Sequence, residues 1–225
     1  GPGGENGVPF ASINHDYGRQ AGRGGVGTVM GSKRLKAIVI RGTQPIPVAD
    51  LEGYRKAGMA LYKACKDAEG LKPWQTYGTT IVVSWCDEVG ALPTRNFSAG
   101  SFENGKSLYG PVMREQIVIT DKGCFGCPSP CGKYSRSKKY NSNVEGPEYE
   151  TIGMFGSNLG IANIEDVAQA NLLCDELGID TISTGGVIAW AMECYEKGIL
   201  TRQDMDGLEL KFGNVQATLT MIEKI

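Results

Sequence analysis

The chain has 225 residues, of which 41% are hydrophobic and 21% are charged, and its formal net charge at pH 7 is −2. This composition supports a globular core and excludes collagen-like or low-complexity chains, because the 32 glycines cluster at turns and in one loop. The near-neutral charge gives no bias toward nucleic acid, and no apolar run approaches the roughly 18 residues that cross a membrane, so we expect a cytoplasmic protein.

The N-terminal part, residues 1–47, is rich in glycine and is predicted to be mostly strand and loop. β-Branched residues between a basic turn and Gly42 predict one strand over residues 35–41. Pro45 and Pro47 then interrupt the pattern, which places a domain boundary near residue 48. The expected fold class is α+β, with the end of a β-rich domain (1–47) followed by a predominantly α-helical domain (48–225).

The rest of the chain is dominated by helical periodicity. Asp50 is a capping residue for a helix that runs to about Asp67. Asn163 is predicted to cap another helix, Gly178 to end it, and Thr181 or Ser183 to begin the next. Residues 89–105, rich in glycine and polar residues, read as a long connection. The further predicted helices span about 76–88, 106–117, 164–177, 182–197 and 214–225.

The ends of the chain predict an internal piece of a longer protein. Gly1 is not an initiator methionine, and the sequence stops at Ile225 inside an amphipathic helical pattern without a cap.

A glycine-rich loop over residues 18–33 combines at least five glycines with Arg19 and Arg23. Such a loop lets backbone N–H groups and guanidinium groups approach a phosphate or pyrophosphate. A dinucleotide-binding Rossmann loop is disfavoured, because the nearest strand pattern follows the glycines instead of preceding them, and the spacing of a P-loop is absent. On these residues alone, a purely structural tight loop stays open.

Three cysteines, Cys124, Cys127 and Cys131, lie within eight residues in a loop of glycines and prolines. Such a loop can supply three corners of an iron–sulfur cluster while a distant residue supplies the fourth. Structural zinc is the alternative, although zinc favours two cysteine or histidine pairs and the single histidine, His15, lies far upstream. The remaining cysteines are predicted to be small buried side chains: Cys65, Cys86, Cys174 and Cys194.

Five motifs in one order make the whole sequence similar to the aldehyde ferredoxin oxidoreductase family. They are residues 1–6, residues 21–38, the cysteine loop 124–131, residues 145–150 and residues 175–186. The resemblance implies a tungsten or molybdenum ion held by two pterin dithiolenes, with a 4Fe–4S cluster beside it. It also implies Mg²⁺ between the pterin phosphates.

The resemblance also implies roles for individual residues. Cys124, Cys127 and Cys131 match three cluster ligands. Arg19 matches a residue near the pterin phosphates, and the backbone carbonyl of Gln20 matches a magnesium ligand.

Three acidic residues match positions around the pterins and the metal. Asp175 and Asp180 match aspartates that accept hydrogen bonds from pterin N–H groups, although capping and helix-end polarity would also explain them. Glu150 matches a candidate general acid or base near the metal. Without the resemblance, Glu145, Glu148 and Glu150 read as a solvated acidic turn.

The expected function is oxidation of a small aldehyde to a carboxylic acid, with electrons passing through the cluster to ferredoxin. A benzoyl-CoA reductase type or carboxylate-reducing enzyme of the same family is the alternative, and a zinc- or cluster-stabilised module without catalysis is another.

Gln169 and Leu172 stand where some members carry the ligands of an iron that bridges two subunits. We therefore expect no bridging iron, and a homo-oligomer stays open.

Overall fold

A computed structural model describes all residues, 1–225, and shows an α+β fold. Ten α-helical segments are α1 (Pro2–Glu5), α2 (Val26–Ser32), α3 (Leu51–Asp67), α4 (Lys72–Tyr77), α5 (Ile81–Glu88), α6 (Gly110–Gln116), α7 (Tyr149–Thr151), α8 (Ile164–Leu177), α9 (Thr181–Glu196) and α10 (Val215–Lys224). Five strands are β1 (Ile13–His15), β2 (Arg19–Ala21), β3 (Val118–Lys122), β4 (Gly132–Ser137) and β5 (Ser142–Glu145).

The N-terminal residues pack directly on the helical part. The hairpin of β1 and β2 is antiparallel, and just before it Ala11 forms an antiparallel bridge with Ile179, between α8 and α9. Val8 and Ala11 belong to the same buried apolar cluster as α8 and α9. The first 27 or so residues are therefore anchored to the core rather than separate from it.

The predicted strand over residues 35–41 is wrong. The backbone there has no strand partner, and Ile38, Val39 and Ile40 are 68%, 90% and 87% exposed. Local β propensity is present, but a strand is stable only when a second strand satisfies its backbone groups. No other segment of the chain supplies that second strand.

The helix predicted from Asp50 is confirmed, because the Asp50 side chain accepts a hydrogen bond from the backbone N–H of Gly53 at 2.9 Å. Helix α3 has no buried residue, and Leu51, Tyr54 and Leu61 are exposed. It is therefore an amphipathic helix whose apolar side lacks a packing partner in this chain.

Two predicted helices are present but divided by turns. The helix predicted at 76–88 begins earlier, as α4, and breaks at Gly78, whose φ of 68° is left-handed, before a 3₁₀ turn leads into α5. The helix predicted at 106–117 consists of a 3₁₀ turn (Gly105–Leu108) and α6. The predicted connection at 89–105 is free of helix up to residue 104.

A three-stranded antiparallel sheet, β3–β4–β5, lies within the mainly helical region and was not predicted. The buried positions of β4 alternate but carry Lys133, Ser135 and Ser137 instead of apolar residues. An alternation of hydrophobic and polar residues, the usual sequence signal of a strand, is therefore missing. The connection from β3 to β4 is the cysteine loop.

Helices α8 and α9 carry much of the core. Asn163 accepts a hydrogen bond from Glu165 N at 2.8 Å, and Gly178 ends α8 with a left-handed φ of 72°, both as predicted. Helix α9 begins at Thr181, one of the two predicted starts, and Asp180 caps it by accepting from Ser183 N at 2.8 Å. Aspartate is among the preferred N-cap residues, because its carboxylate accepts from a backbone N–H of the first turn.

The cysteines outside the loop largely follow the prediction. Cys86, Cys174 and Cys194 are buried, whereas Cys65 on α3 is only half-buried. All seven cysteines are free thiols. None of the helices combines the length and the apolar character that a membrane crossing requires.

Candidate functional site

Five residues that the sequence analysis singled out line a single cavity of about 290 Å³. They are Arg19, Gln20, Glu150, Asp175 and Asp180. The hairpin β1–β2, the turn at α7 and the junction of α8 and α9 bring them together from distant parts of the chain. The lining contains no hydrophobic residue. The cavity is therefore suited to a polar ligand with many hydrogen-bonding groups.

Arg19 is the main cation of the cavity. Its Nε lies 2.7 Å from Oε1 of Glu145, and its Nη1 donates to Glu148 at 3.3 Å. Lys122 pairs with the second oxygen of Glu145, and Thr79 donates to the second oxygen of Glu148 at 2.5 Å. The solvated-turn interpretation is thus wrong for Glu145, whose side chain is only 4% exposed.

Two buried atoms of this cluster have no hydrogen-bond partner: Arg19 Nη2 and Glu145 Oε1. The N–H of Arg19 Nε does not point at Oε1 of Glu145, so the short distance between them makes an ion pair without a hydrogen bond. Buried polar groups are normally paired. Nη2 of Arg19 is therefore a buried donor that no group of this chain satisfies.

Asp175 lies at the C-terminal end of α8 and faces the glycine loop. Gln20 donates to its Oδ1, and Asn171 donates to its Oδ2 at 2.8 Å. Asn14 reaches its backbone carbonyl at 2.5 Å. Burial raises the pKa of Asp175 to about 7, with the nearby Glu145 adding to that rise, although the two amide donors act in the opposite direction. This carboxyl can consequently hold a proton near neutral pH.

Asp180 is both a helix cap and part of the cavity wall. Its Oδ2 accepts from Ser183 N and Ser183 Oγ and lies 3.1 Å from Arg23 Nη1. The second oxygen, Oδ1, would lie 3.1 Å from a Cβ at Gly22. The capping interpretation is therefore correct, and it leaves Oδ1 free toward the loop.

Glu150 belongs to the short helix α7 at the cavity wall and is exposed. It makes no ion pair and no side-chain hydrogen bond. The next residue, Thr151, bonds to Thr181 at the start of α9 at 3.0 Å, which fixes the turn. A π-helical segment, Ile152–Gly156, follows; such segments occur frequently at functional sites.

The glycine loop divides into two functions. Gly18 and Gly22 line the cavity beside Glu145 and Asp180. Gly27 and Gly31 instead face backbone, because a Cβ would lie 2.3 Å from Ser12 O and 1.9 Å from Gly4 O, respectively. The structural-loop interpretation thus holds for the second half of the loop, whereas the first half lines the cavity.

The cysteine loop leads from β3 into β4 at the edge of the cavity. Cys124 and Cys127 are exposed, and Cys131 is half-buried. No three His, Cys, Asp or Glu side chains are arranged around a common metal-binding point. The three thiols therefore lie in one loop, but they do not converge on one point. Backbone hydrogen bonds order the loop, from Cys127 N to Cys124 O at 3.0 Å and from Cys131 N to Ser129 O at 2.8 Å.

Arg19 connects the cavity to the cysteine loop. Partial burial lowers the pKa of its guanidinium, but Glu145, Glu148 and the thiols of Cys124 and Cys131 together raise that pKa by more. A Cβ at Gly132, next to Cys131, would lie 2.2 Å from Arg19 Nη2. Glycine at that position therefore lets the guanidinium reach the base of the loop.

The sequence did not indicate Glu145, Glu148 and Asn171 as site residues, although all three line the cavity together with Arg23 of the glycine-rich loop. Asn171 could have been found, because it lies one helical turn before Asp175. Two further residues were compared above with the ligands of a bridging iron. Gln169 accepts a hydrogen bond from Ser142 at 3.1 Å, and Leu172 packs beside the core. Those contacts give both residues structural roles.

Larger cavities lie beside this site. One of about 420 Å³ shares Gly18, Glu145 and Asp175 with it. Another, of about 610 Å³, lies behind the glycine loop along residues 27–38 and contains none of the predicted site residues. The candidate site is therefore distinguished from the larger cavities by the residues that line it and not by its volume.

Comparisons with known proteins give a consistent result. Residues 1–42 match the N-terminal domain of aldehyde ferredoxin oxidoreductase, and residues 56–225 match its domains 2 and 3. Tungsten-containing aldehyde ferredoxin oxidoreductases of Thermococcus kodakarensis and Pyrococcus furiosus are 42% and 41% identical to the whole chain. An aliphatic sulfonate oxidoreductase, WOR-like subunit, of Pyrococcus furiosus is 33% identical.

The chain spans 37% of the length of the first two relatives and 36% of the third. Among solved structures, the active-site complex BamBC of benzoyl coenzyme A reductase with 1,5-dienoyl-CoA aligns with all of this chain and 35% of its own, with a TM-score of 0.75. That likeness, at 24% identity, concerns the fold. The matched domains and the identity over the full chain show that the chain belongs to the aldehyde ferredoxin oxidoreductase family.

Proposed function

We propose that the whole protein is a tungsten- or molybdenum-pterin oxidoreductase that converts an aldehyde and water to a carboxylic acid and delivers the two electrons to ferredoxin. The observation that carries the proposal is the convergence of Arg19, Gln20, Glu150, Asp175 and Asp180 on one polar cavity beside the cysteine loop. The names of the relatives that are 41% and 42% identical support the same reaction.

The cavity fits a pterin with phosphate groups. The unpartnered donor of Arg19 suits a phosphate oxygen, and the free Oδ1 of Asp180 suits a ring N–H. Asp175, with its raised pKa of about 7, can accept a hydrogen bond when ionised or donate one when protonated. The backbone carbonyl of Gln20 would contribute to a Mg²⁺ site.

The cysteine loop fits a 4Fe–4S cluster in its donor chemistry. Cys124, Cys127 and Cys131 are free thiols that solvent and metal can reach, and the fourth ligand would come from another part of the whole protein. When bound, the pterin metal supplies oxygen-transfer chemistry and the cluster supplies one-electron transfer.

The chain's own contribution is binding, orientation and proton transfer. Oxidation of RCHO with H₂O to RCOOH releases two protons and two electrons, so a base is needed. The Glu150 carboxylate is exposed at the cavity and unpaired, and it can accept one of those protons. The buried carboxylate of Glu145 is held by Arg19 and Lys122 and instead orients the Arg19 guanidinium.

The test is a metal analysis and an activity assay of the full-length protein, purified without oxygen. We expect tungsten or molybdenum, four irons per cluster as in other 4Fe–4S proteins, and aldehyde-dependent ferredoxin reduction. One zinc, with neither tungsten nor molybdenum, contradicts the proposal. An alkane sulfonate and benzoyl-CoA are assayed in parallel, so that a different substrate class is recognised.

A further inference from the structure

A buried lysine lies at the base of the cysteine loop. Lys133 is the second residue of β4, two positions after Cys131, and is 3% exposed. Its Nζ donates to the carbonyl oxygens of Gln75 at 2.8 Å and Pro130 at 2.9 Å, and it lies 3.0 Å from Oδ1 of Asp121. A buried ammonium group is costly unless it is paired, and these three oxygens meet that need.

Strand register and a glycine hold this cation against the loop. Lys133 lies directly opposite Asp121 in the β3–β4 pair. A Cβ at Gly78 would lie 2.3 Å from Cys131 O and 3.6 Å from Lys133 Cε, so the α4–α5 turn presses on both residues. The ammonium group is consequently fixed beneath the Cys131 end of the loop.

The pairing with Asp121 does not by itself account for a charge at this position. Replacing both members of a buried ion pair with apolar residues of similar volume is often neutral or stabilising. The group beside Lys133 is a loop with three thiols, which are negatively charged as cluster ligands. The position of the cation therefore points to an electrostatic role toward that loop.

We propose that Lys133 is a positioning residue that holds the Cys131 end of the loop and raises the midpoint reduction potential of the cluster bound there. The inference rests on the proposed function, because it requires the cluster. Reduction adds a negative charge to the cluster, and a nearby fixed cation stabilises the reduced form more than the oxidised form, particularly where water is excluded. Asp121 partly offsets this effect.

The test is a redox titration of the full-length holoprotein, followed by electron paramagnetic resonance of the reduced cluster. Lys133→Met is expected to shift the midpoint potential to a more negative value, whereas Lys133→Arg, which keeps the charge, stays near the wild type. The matched control is Lys138→Met, which removes the same charge from the exposed residue that follows β4 and leaves the potential unchanged.

A second variant keeps the test decisive if Lys133→Met does not fold or bind iron. Asp121→Asn removes the counter-charge at a less buried position and should move the potential in the opposite direction, to a more positive value. A cluster-loaded Lys133→Met with the wild-type potential overturns the inference, as does an unchanged potential in Asp121→Asn. A wild-type protein without a cluster signal instead refutes the cluster part of the proposed function.

Discussion

At the scale of single residues, the fold places acidic side chains of one cavity in different surroundings. Glu145 is buried between Arg19 and Lys122, Asp175 is held by amide donors, and Glu150 faces solvent without a partner. Differences of this kind separate carboxyl groups that bind from those that exchange protons. Glu150 and Asp175 therefore make distinct, testable predictions.

Replacing Glu150 with glutamine should lower kcat for aldehyde oxidation in the full-length enzyme by about 10²- to 10⁴-fold, the usual contribution of a general acid or base. Because Glu150 makes no structural hydrogen bond or ion pair, the metal content and the thermal midpoint should stay at wild-type values. Steady-state kinetics checks the change, with Glu115→Gln on the exposed side of α6 as the control. Wild-type kcat in Glu150→Gln would exclude a proton-transfer role.

The raised pKa of Asp175 predicts a pH-dependent cost to stability. Its folded pKa is about 7, above the ordinary value of 3.8, so the folded chain binds more protons than the unfolded chain between about pH 4 and 7. Ionisation of this carboxyl therefore lowers the free energy of unfolding as pH rises through that window. Asp175→Asn removes this contribution.

The stability advantage of Asp175→Asn over the wild-type chain should grow from pH 4 to pH 7 and then level off. Urea unfolding of the 225-residue chain at several pH values measures it. The same substitution at exposed Asp67, in α3, serves as the surface control. A stability difference that is constant with pH would contradict the burial of an ionisable Asp175.

At the scale of elements, the surroundings of glycine differ between helices α2 and α3. Gly31 in α2 lies against the backbone of α1, where a Cβ would come within 1.9 Å of Gly4 O. Gly58 in α3 has nothing within 4 Å of its Cβ position. The same substitution therefore has opposite expected effects.

Gly31→Ala should lower the free energy of unfolding by about 1–3 kcal/mol, because rigid backbone must move to admit the methyl group. Gly58→Ala should not lower it and should increase helix content, since alanine is favoured over glycine in a helix interior by about 1 kcal/mol. Chemical denaturation and far-ultraviolet circular dichroism measure both effects. Equal destabilisation by the two substitutions would refute the close packing of α1 on α2.

At the scale of the whole molecule, the sequence predicted those features that depend on neighbouring residues, such as the ends of helices. The bounds of α8 follow from Asn163 and Gly178, which cap and end the helix within its own sequence. The strand predicted at 35–41 failed because pairing depends on a distant segment. The β3–β5 sheet was missed because Lys133, Ser135 and Ser137 occupy its buried positions.

The candidate site likewise combines features that the sequence indicated with contacts that only the fold reveals. The cysteine spacing itself indicated a metal loop, but the spacing alone left zinc open. Gln20 and Asp175 are 155 positions apart, and no spacing rule places them in contact. Resemblance to a family selected them, and the tertiary fold showed their proximity as well as the ion pairs of Glu145.

The distribution of buried contacts predicts where the chain opens first. Residues 34–63 contain no buried residue, whereas α8 and α9 lie in the core. Local opening costs least where few apolar contacts must break, so protease sensitivity should concentrate there. Exposed lysines and arginines such as Arg34, Arg55 and Lys63 provide tryptic sites within this region.

Brief trypsin treatment of the 225-residue chain should therefore cut first between residues 33 and 67, leaving a C-terminal product that contains the β3–β5 sheet, α8 and α9. Mass spectrometry of the first products locates the cuts. Because Val8 and Ala11 pack in the common core, the N-terminal piece should stay bound to that product during gel filtration under native conditions. First cuts within α8 or α9 would contradict the place of these helices in the core. Immediate loss of the N-terminal piece would mean that the first 27 or so residues are not anchored to the helical core.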